Sequence, residues 1–145
     1  MSNLLKVSEA ASLGLHIMAL LAAEPKKLLC VREAAAALSV SEAHLAKVMQ
    51  RLARAGFVES LRGPRGGFLL ARAPSEVTLL EVYEAIEGPI VVRDCLFSTR
   101  LCDGERCIFG GMLTSVDVQV KQYLAGTKLS EITDVVRTHQ EDAHA

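Results

Sequence analysis

The six residues Arg62-Gly63-Pro64-Arg65-Gly66-Gly67 constrain this chain more than any other stretch. Glycine and proline fill four of the six positions, so no helix runs through them. The runs on either side, Phe57-Val58-Glu59-Ser60-Leu61 and Phe68-Leu69-Leu70-Ala71, have strand character, and the whole reads as a β-hairpin. Immediately before it, Gly56 closes a helical pattern from Glu42 to Ala55 whose apolar stripe is Leu45, Val48, Met49 and Leu52. The pair reads as a helix followed by a wing.

Upstream, Val31 to Leu38 is a short alanine-rich helix, Ser39-Val40-Ser41 breaks it, and Ser41 is placed to cap the helix that follows. A first helix starts at the N-cap Ser8 and runs to Ala23, where Pro25 stops it. Leu13, Ile17, Leu20 and Leu21 form its buried stripe, and Glu9, Ser12 and His16 share another face. Beyond the hairpin, Thr78 to Glu87 forms a short helix with Leu79, Leu80, Val82, Tyr83 and Ile86, ended by Gly88-Pro89. The polar stretch from Ile90 to Cys107 has no helical period. After it, Phe109, Met112, Leu113, Val116, Val120, Tyr123 and Leu124 repeat at three or four until Gly126.

The expected fold is therefore mostly α with a small β-hairpin wing, a winged helix-turn-helix joined to a long dimerisation helix. It divides into a winged unit at 1–88, a cysteine-containing loop at 89–107, the long helix at 108–126, and a C-terminal segment at 127–145 that frays from Thr138. A long amphipathic helix outside the compact unit either packs on its own body or pairs with a second copy. We expect a two-fold dimer, because a DNA reader gains affinity by pairing half-sites.

The net charge of −1 hides an asymmetry. Residues 32–72 hold seven basic and three acidic groups, a surplus of +4, whereas residues 73–145 hold six and twelve, a surplus of −6. A basic block on an acidic body attracts and orients an anionic polymer. Its side chains are arranged to do so. Opposite the apolar stripe, the second helix of the pair offers Glu42, His44, Lys47, Gln50, Arg51 and Arg54, with Ser41 at its start. Such a face suits the major groove, touching phosphates and base edges together. Any solvated helix shows charges too, but the hairpin beside this one favours the nucleic-acid reading. Arg62, Arg65 and Gly66 at the hairpin tip can press close to the duplex and set a guanidinium in the minor groove. Double-stranded DNA fits better than single strands, since two Tyr and four Phe leave few stacking platforms. A nucleotide phosphate loop is the competing reading of the glycines. No Gly-Lys-Ser/Thr follows them and no helix opens there.

Composition places the chain. At 145 residues and half apolar it can bury a core without disulfide staples. The apolar run Leu13 to Ala23 is broken by His16 and falls short of the about 20 residues that a membrane span needs. The start Met1-Ser2-Asn3-Leu4-Leu5-Lys6 lacks a secretory pattern, so a cytoplasmic protein with no membrane partner is expected. In that compartment four cysteines read as thiols or metal ligands rather than a disulfide framework. Three of them, Cys95, Cys102 and Cys107, fall in C-L-F-S-T-R-L-C-D-G-E-R-C. Thiolates are the soft ligands that iron-sulfur clusters and zinc prefer, and three in one short loop can converge without a long chain closure.

The segments Ser41-Glu42-Ala43-His44-Leu45-Ala46-Lys47, Arg62 to Ala71 and Leu79-Leu80-Glu81-Val82-Tyr83-Glu84-Ala85-Ile86-Glu87-Gly88, with the three loop cysteines, resemble the Rrf-two family of bacterial regulators. The resemblance spans residues 4 to about 135. Members of that family include an iron-sulfur regulator and a nitric-oxide sensor. The resemblance implies a homodimeric transcription factor, usually a repressor, that binds an operator in duplex DNA and carries an iron-sulfur cluster, 2Fe-2S rather than 4Fe-4S, near the dimer helix. Three departures stand out. The spacing C-x4-C between Cys102 and Cys107 is tighter than usual, Ser39 stands where many relatives have glycine, and Cys30 stands where many have a capping threonine or serine. A thiol at a helix start is either activated by the helix dipole or a small buried residue with no task.

Three thiolates leave a cluster one ligand short. In relatives the fourth is an acidic or histidine side chain, sometimes from the partner's first helix. His16 is the first candidate by that resemblance and Glu9 the second, with Asp94 and Asp103 in the loop itself. A ligand that crosses the dimer would strap the subunits, and its loss would change the spacing of the reading helices. Zinc held by three cysteines and a histidine, or plain thiol oxidation, would give the same regulator without a cluster. A small electron carrier is the reading from another class. No catalytic constellation accompanies it, so no enzyme is expected.

Overall fold

The computed structural model of the chain describes residues 5–103 and 105–134, so the segment from Thr138 lies outside the described residues. Helix α1 (Glu9–Ala23) begins where the Ser8 hydroxyl accepts the Ala11 N–H at 3.0 Å. It is buried over far more than one stripe: Ala11, Gly14, Met18, Ala19, Ala22 and Ala23 lie inside with Leu13, Ile17 and Leu21, while Leu20 is half-buried. The small residues explain this. A Cβ on Gly14 would stand 2.1 Å from Ile86 Cδ1, so glycine lets the neighbouring helix come close. Helix α1 is the axis on which the rest of the core packs.

Helices α2 (Val31–Leu38) and α3 (Glu42–Arg54) form the expected pair. The turn between them places Ser39 at φ 56°, ψ 43°, which is left-handed backbone, and sends its N–H to the Ala36 carbonyl. The Ser41 hydroxyl then accepts the His44 N–H at 3.1 Å and starts α3. The buried residues of α3 are Leu45, Val48, Met49 and Leu52, the four of the sequence pattern.

The hairpin follows as β1 (Val58–Leu61) and β2 (Gly67–Leu70), antiparallel, with Val58 opposite Leu70 and Leu61 opposite Gly67. Leu29, just before α2, adds a third rung through two backbone bonds with Phe68, 2.8 and 2.9 Å long. Gly67 makes that approach possible, because a Cβ there would meet the Leu29 carbonyl oxygen at 2.3 Å. The wing is thus bolted to the entrance of the helix pair.

Helix α4 (Leu79–Glu87) starts with a capping box in which Thr78 and Glu81 satisfy each other's backbone N–H. The long helix, α5 (Met112–Gly126), begins later than the apolar period suggests. Gly110 at φ 58° and Gly111 before it keep residues 108–111 in a turn. After α5 the chain comes back. The Leu79 N–H donates to the Thr127 carbonyl and the Leu129 N–H to the Val77 carbonyl, both at 2.9 Å, and Leu129 is fully buried. The segment after α5 is thereby sewn into the core of the winged unit, which the sequence pattern did not suggest. Among the described residues no helix is long and apolar enough to cross a membrane.

Candidate functional site

The basic side of α3 and the wing tip are both at the surface. Ser41, Glu42, Lys47, Gln50, Arg51 and Arg54 of α3 are exposed, and His44 is half-buried. Arg62 and Arg65 are exposed at the wing tip, with Gly66 half-buried beneath them. Gly66 has a reason to be glycine: its Cβ would lie 2.3 Å from the Leu61 carbonyl oxygen. Local contacts already engage some of these groups. Glu42 faces Arg32 of α2 at 4.0 Å, and His44 Nδ1 lies 3.9 Å from a Glu9 carboxylate oxygen. The Arg51 guanidinium donates to the Ile86 carbonyl at 3.1 Å. Lys47, Arg54, Arg62 and Arg65 are exposed cations that no side chain among the described residues engages. Arg72 belonged to the basic block on charge alone. It lies over the Phe57 ring, 5.3 Å from its centroid, and bonds the Glu76 carbonyl and the Glu81 carboxylate, so it serves the base of the wing.

The cysteine loop leaves α4 through Gly88 and is moored to α5. The Arg93 N–H donates to Asp117 Oδ2 at 3.0 Å, and the Thr114 hydroxyl donates to the Arg93 carbonyl at 3.2 Å. Cys95, Cys102 and Cys107 are free thiols and line one cavity of about 160 Å³ with Asp94, Arg100, Glu105, Gly110 and Thr114. On the loop's apolar side the same three cysteines line a second cavity of about 250 Å³ with Leu96, Phe97, Leu101, Ile108, Phe109 and Leu113. Arg100 pairs with Asp94 at the first cavity. Asp103 does not line it. Its carboxylate accepts the N–H groups of Glu105 and Arg106, and these bonds hold it below the usual carboxylate range.

His16 is exposed on α1 with Nδ1 at 2.6 Å from the Ser12 carbonyl oxygen, and it lines neither cysteine cavity. Within one chain the cysteines and His16 do not come together. Glu105, which the sequence reading passed over, does line the cavity. The only signal for it was its place two residues before Cys107. Cys30 is the N-cap of α2, makes no side-chain cap bond, and is half-buried against a separate cavity of about 150 Å³.

The donor set suits a soft metal centre in kind: three free cysteines line one cavity, beside the Arg100–Asp94 ion pair. Among the described residues no three His, Cys, Asp or Glu side chains converge as a single metal ion requires.

A helix pair whose second member is exposed and basic, followed by a bolted wing, defines a winged helix-turn-helix protein. The model of the Rrf2 family, described as iron-dependent transcriptional regulators, matches residues 7–135, and the chain belongs to that family. It is a DNA-binding transcriptional regulator and not an enzyme. An Aquifex aeolicus HTH-type transcriptional regulator is 28% identical over 135 residues, covering 91% of this chain and 94% of that protein. The regulator NsrR of Bacillus subtilis is 32% identical over 100 residues, 68% of each chain. Other curated relatives are matched over little more than half of their own length. Among solved structures, CymR, the global cysteine regulator of B. subtilis, superposes with a TM-score of 0.75 at 26% identity, covering 91% of this chain and 98% of that one.

Proposed function

We propose that this chain represses transcription as a homodimer, reading an operator with α3 and the wing, and that an iron-sulfur cluster on Cys95, Cys102 and Cys107 sets its affinity for DNA. The observation that carries the proposal is the common cavity: three free thiols share one wall in a loop that joins the winged unit to the exposed helix α5. The family's description as iron-dependent points the same way. A cluster bound there supplies a redox-active and nitric-oxide-reactive centre, 2Fe-2S in our reading.

The chain's own residues do the rest. The three cysteines would hold the cluster, the Arg100–Asp94 pair stands beside them, and Thr114 and Asp117 keep the loop on α5. The fourth donor in this reading is His16 from the first helix of a second copy, since within its own chain it stands apart from the cavity. Asp94, paired with Arg100, and Glu105 are the donors that line the cavity without a second copy. Ser41, Glu42, His44, Lys47, Gln50 and Arg54 form the helix face toward the major groove, with Arg51 beside them bonded to the Ile86 carbonyl, and Arg62, Arg65 and Gly66 form the wing tip. The cations bind phosphate, and the carboxylate and amide are suited to base edges.

Protein prepared without oxygen should be coloured and contain iron and acid-labile sulfide. It should shift a duplex from the region upstream of its own gene, with an affinity that changes when the colour is bleached. Colourless protein lacking both elements would remove the cluster. Affinity that followed thiol oxidation instead would establish the switch built on cysteine alone, for which the exposed Cys102 is the entry point.

A further inference from the structure

We infer that Arg51 is a positioning residue, acting on the carbonyl of Ile86 and not on DNA, and that this bond links the reading helix to the cysteine loop. The inference rests on the DNA-binding reading and narrows it. Arg51 lies in the last turn of α3, whereas a reading helix meets bases mainly with its N-terminal residues. Its guanidinium donates at 3.1 Å to Ile86, whose carbonyl belongs to the last turn of α4. Carbonyls there lack helical partners, and α4 has no basic residue of its own in that turn. Arg51 supplies the missing cation from the neighbouring helix.

The partner residue is itself keyed in place. Ile86 is buried, with its Cδ1 in the notch that Gly14 leaves in α1, and Val48 of α3 lines the same notch. A shift at the end of α4 therefore presses on both α1 and α3. From that end the contacts continue toward the thiols. The Gly88 N–H donates to the Glu84 carbonyl at 2.8 Å, and the Ile90 N–H to the Glu84 carboxylate at 3.4 Å. Arg93 is moored to Asp117 and Thr114, and Thr114 lines the cavity of the three cysteines. Every step from α3 to that cavity is a short stretch of chain or a named hydrogen bond.

Two measurements on full-length protein test this, both with the labelled duplex from the region upstream of its own gene. The first is the dependence of affinity on salt. A side chain that neutralises a phosphate, when removed, lowers the slope of log K against log salt by about 1. Arg54→Met is expected to do that. Arg51→Met is expected to weaken binding about tenfold with the slope unchanged, because what it loses is placement. The second is the rate of iodoacetamide labelling at Cys95, Cys102 and Cys107 with and without saturating duplex. A change of placement carried along this path alters the exposure of the thiols, so duplex should change that rate about threefold or more in the wild type and not in Arg51→Met.

A slope lowered by Arg51→Met, or a labelling change that persists in it, overturns the inference. So does wild-type labelling that ignores duplex. Wild-type protein that does not bind, or an Arg54→Met slope equal to wild type, strikes at the DNA face itself and is told apart by those two arms. Should Arg51→Met fail to fold, Arg51→Gln keeps an N–H donor without the charge. Its salt slope falls by about 1 if Arg51 is a phosphate contact, and stays at the wild-type value if Arg51 positions.

Discussion

Ser39 holds left-handed backbone, φ 56° and ψ 43°, at the turn between α2 and α3, a conformation that costs an L-residue about 1 kcal/mol and glycine almost nothing. Ser39→Gly should therefore raise stability by about 0.5–1 kcal/mol, less the entropy that glycine adds to the unfolded chain. Urea unfolding checks it, and a loss of stability would mean the serine makes a bond worth more than the strain. Glu81 makes a prediction in pH. Accepting the Thr78 backbone N–H lowers its pKa from 4.5, burial opposes this, and Arg72 assists. Since folding lowers the pKa, the capping box stabilises fully above about 4.5 and is lost as the pH falls through the folded value. Glu81→Gln should flatten the acid side of the stability profile, read by thermal melting between pH 6 and about 3. At the cavity, Cys102 is exposed, so Cys102→Ala should leave the melting temperature of the cofactor-free protein nearly unchanged while abolishing the iron and sulfide of protein prepared without oxygen. Retained cofactor in that variant would transfer its ligand role to Glu105 or another neighbour.

Among the elements, the wing shows best how a backbone contact governs function. Gly67 lets β2 pair with Leu29, and through Leu29 the hairpin is fixed to the start of the helix pair. Gly67→Ala would drive a Cβ to 2.3 Å from a backbone oxygen that cannot yield like a side-chain tip. It should cost about 1–3 kcal/mol, release the Leu29 and Phe68 amides to hydrogen exchange, and weaken duplex binding. Unchanged amide protection would show that the wing is held by its apolar face alone. The hairpin and α3 were legible in the sequence because glycine, proline and an apolar period mark them in the chain itself. Helix α1 was legible in extent but not in depth: alanines and Gly14 read as neutral, yet they are what lets α3 and α4 pack close. The Leu29–Phe68 rung, the Arg51–Ile86 bond and the return of Leu129 to the core join residues distant in sequence, and no local period announces them. For the same reason the three cysteines could be grouped by spacing, while Glu105 emerged only with the cavity.

On the scale of the whole molecule, charge and apolar surface are separated in a way that suits a dimer on DNA. The exposed cations of α3 and the wing tip belong to the winged unit, while none of the residues of α5 is buried within the chain. Met112, Val116 and Tyr123 are 49, 42 and 64% exposed, and the adjoining loop adds Leu101 at 82% and Ile108 at 98%. So much apolar surface along one helix and its approach is the mark of an interface. In the dimer we propose, a second copy would cover this face by two-fold symmetry and bring a second reading head, so one association would both cover the surface and double the hold on DNA. Val116→Glu puts a charge in the middle of that face without touching the core of the winged unit. Light scattering should report a dimer for the wild type and a monomer for the variant. The upstream duplex should be bound about a hundredfold more weakly by the variant, because two linked heads have become one. Helical content and wing contacts should persist, since they are built within a single chain. A wild-type monomer, or a Val116→Glu dimer with undiminished affinity, would mean that α5 is covered in another way, and would take from His16 the route by which it reaches the thiols of a second copy.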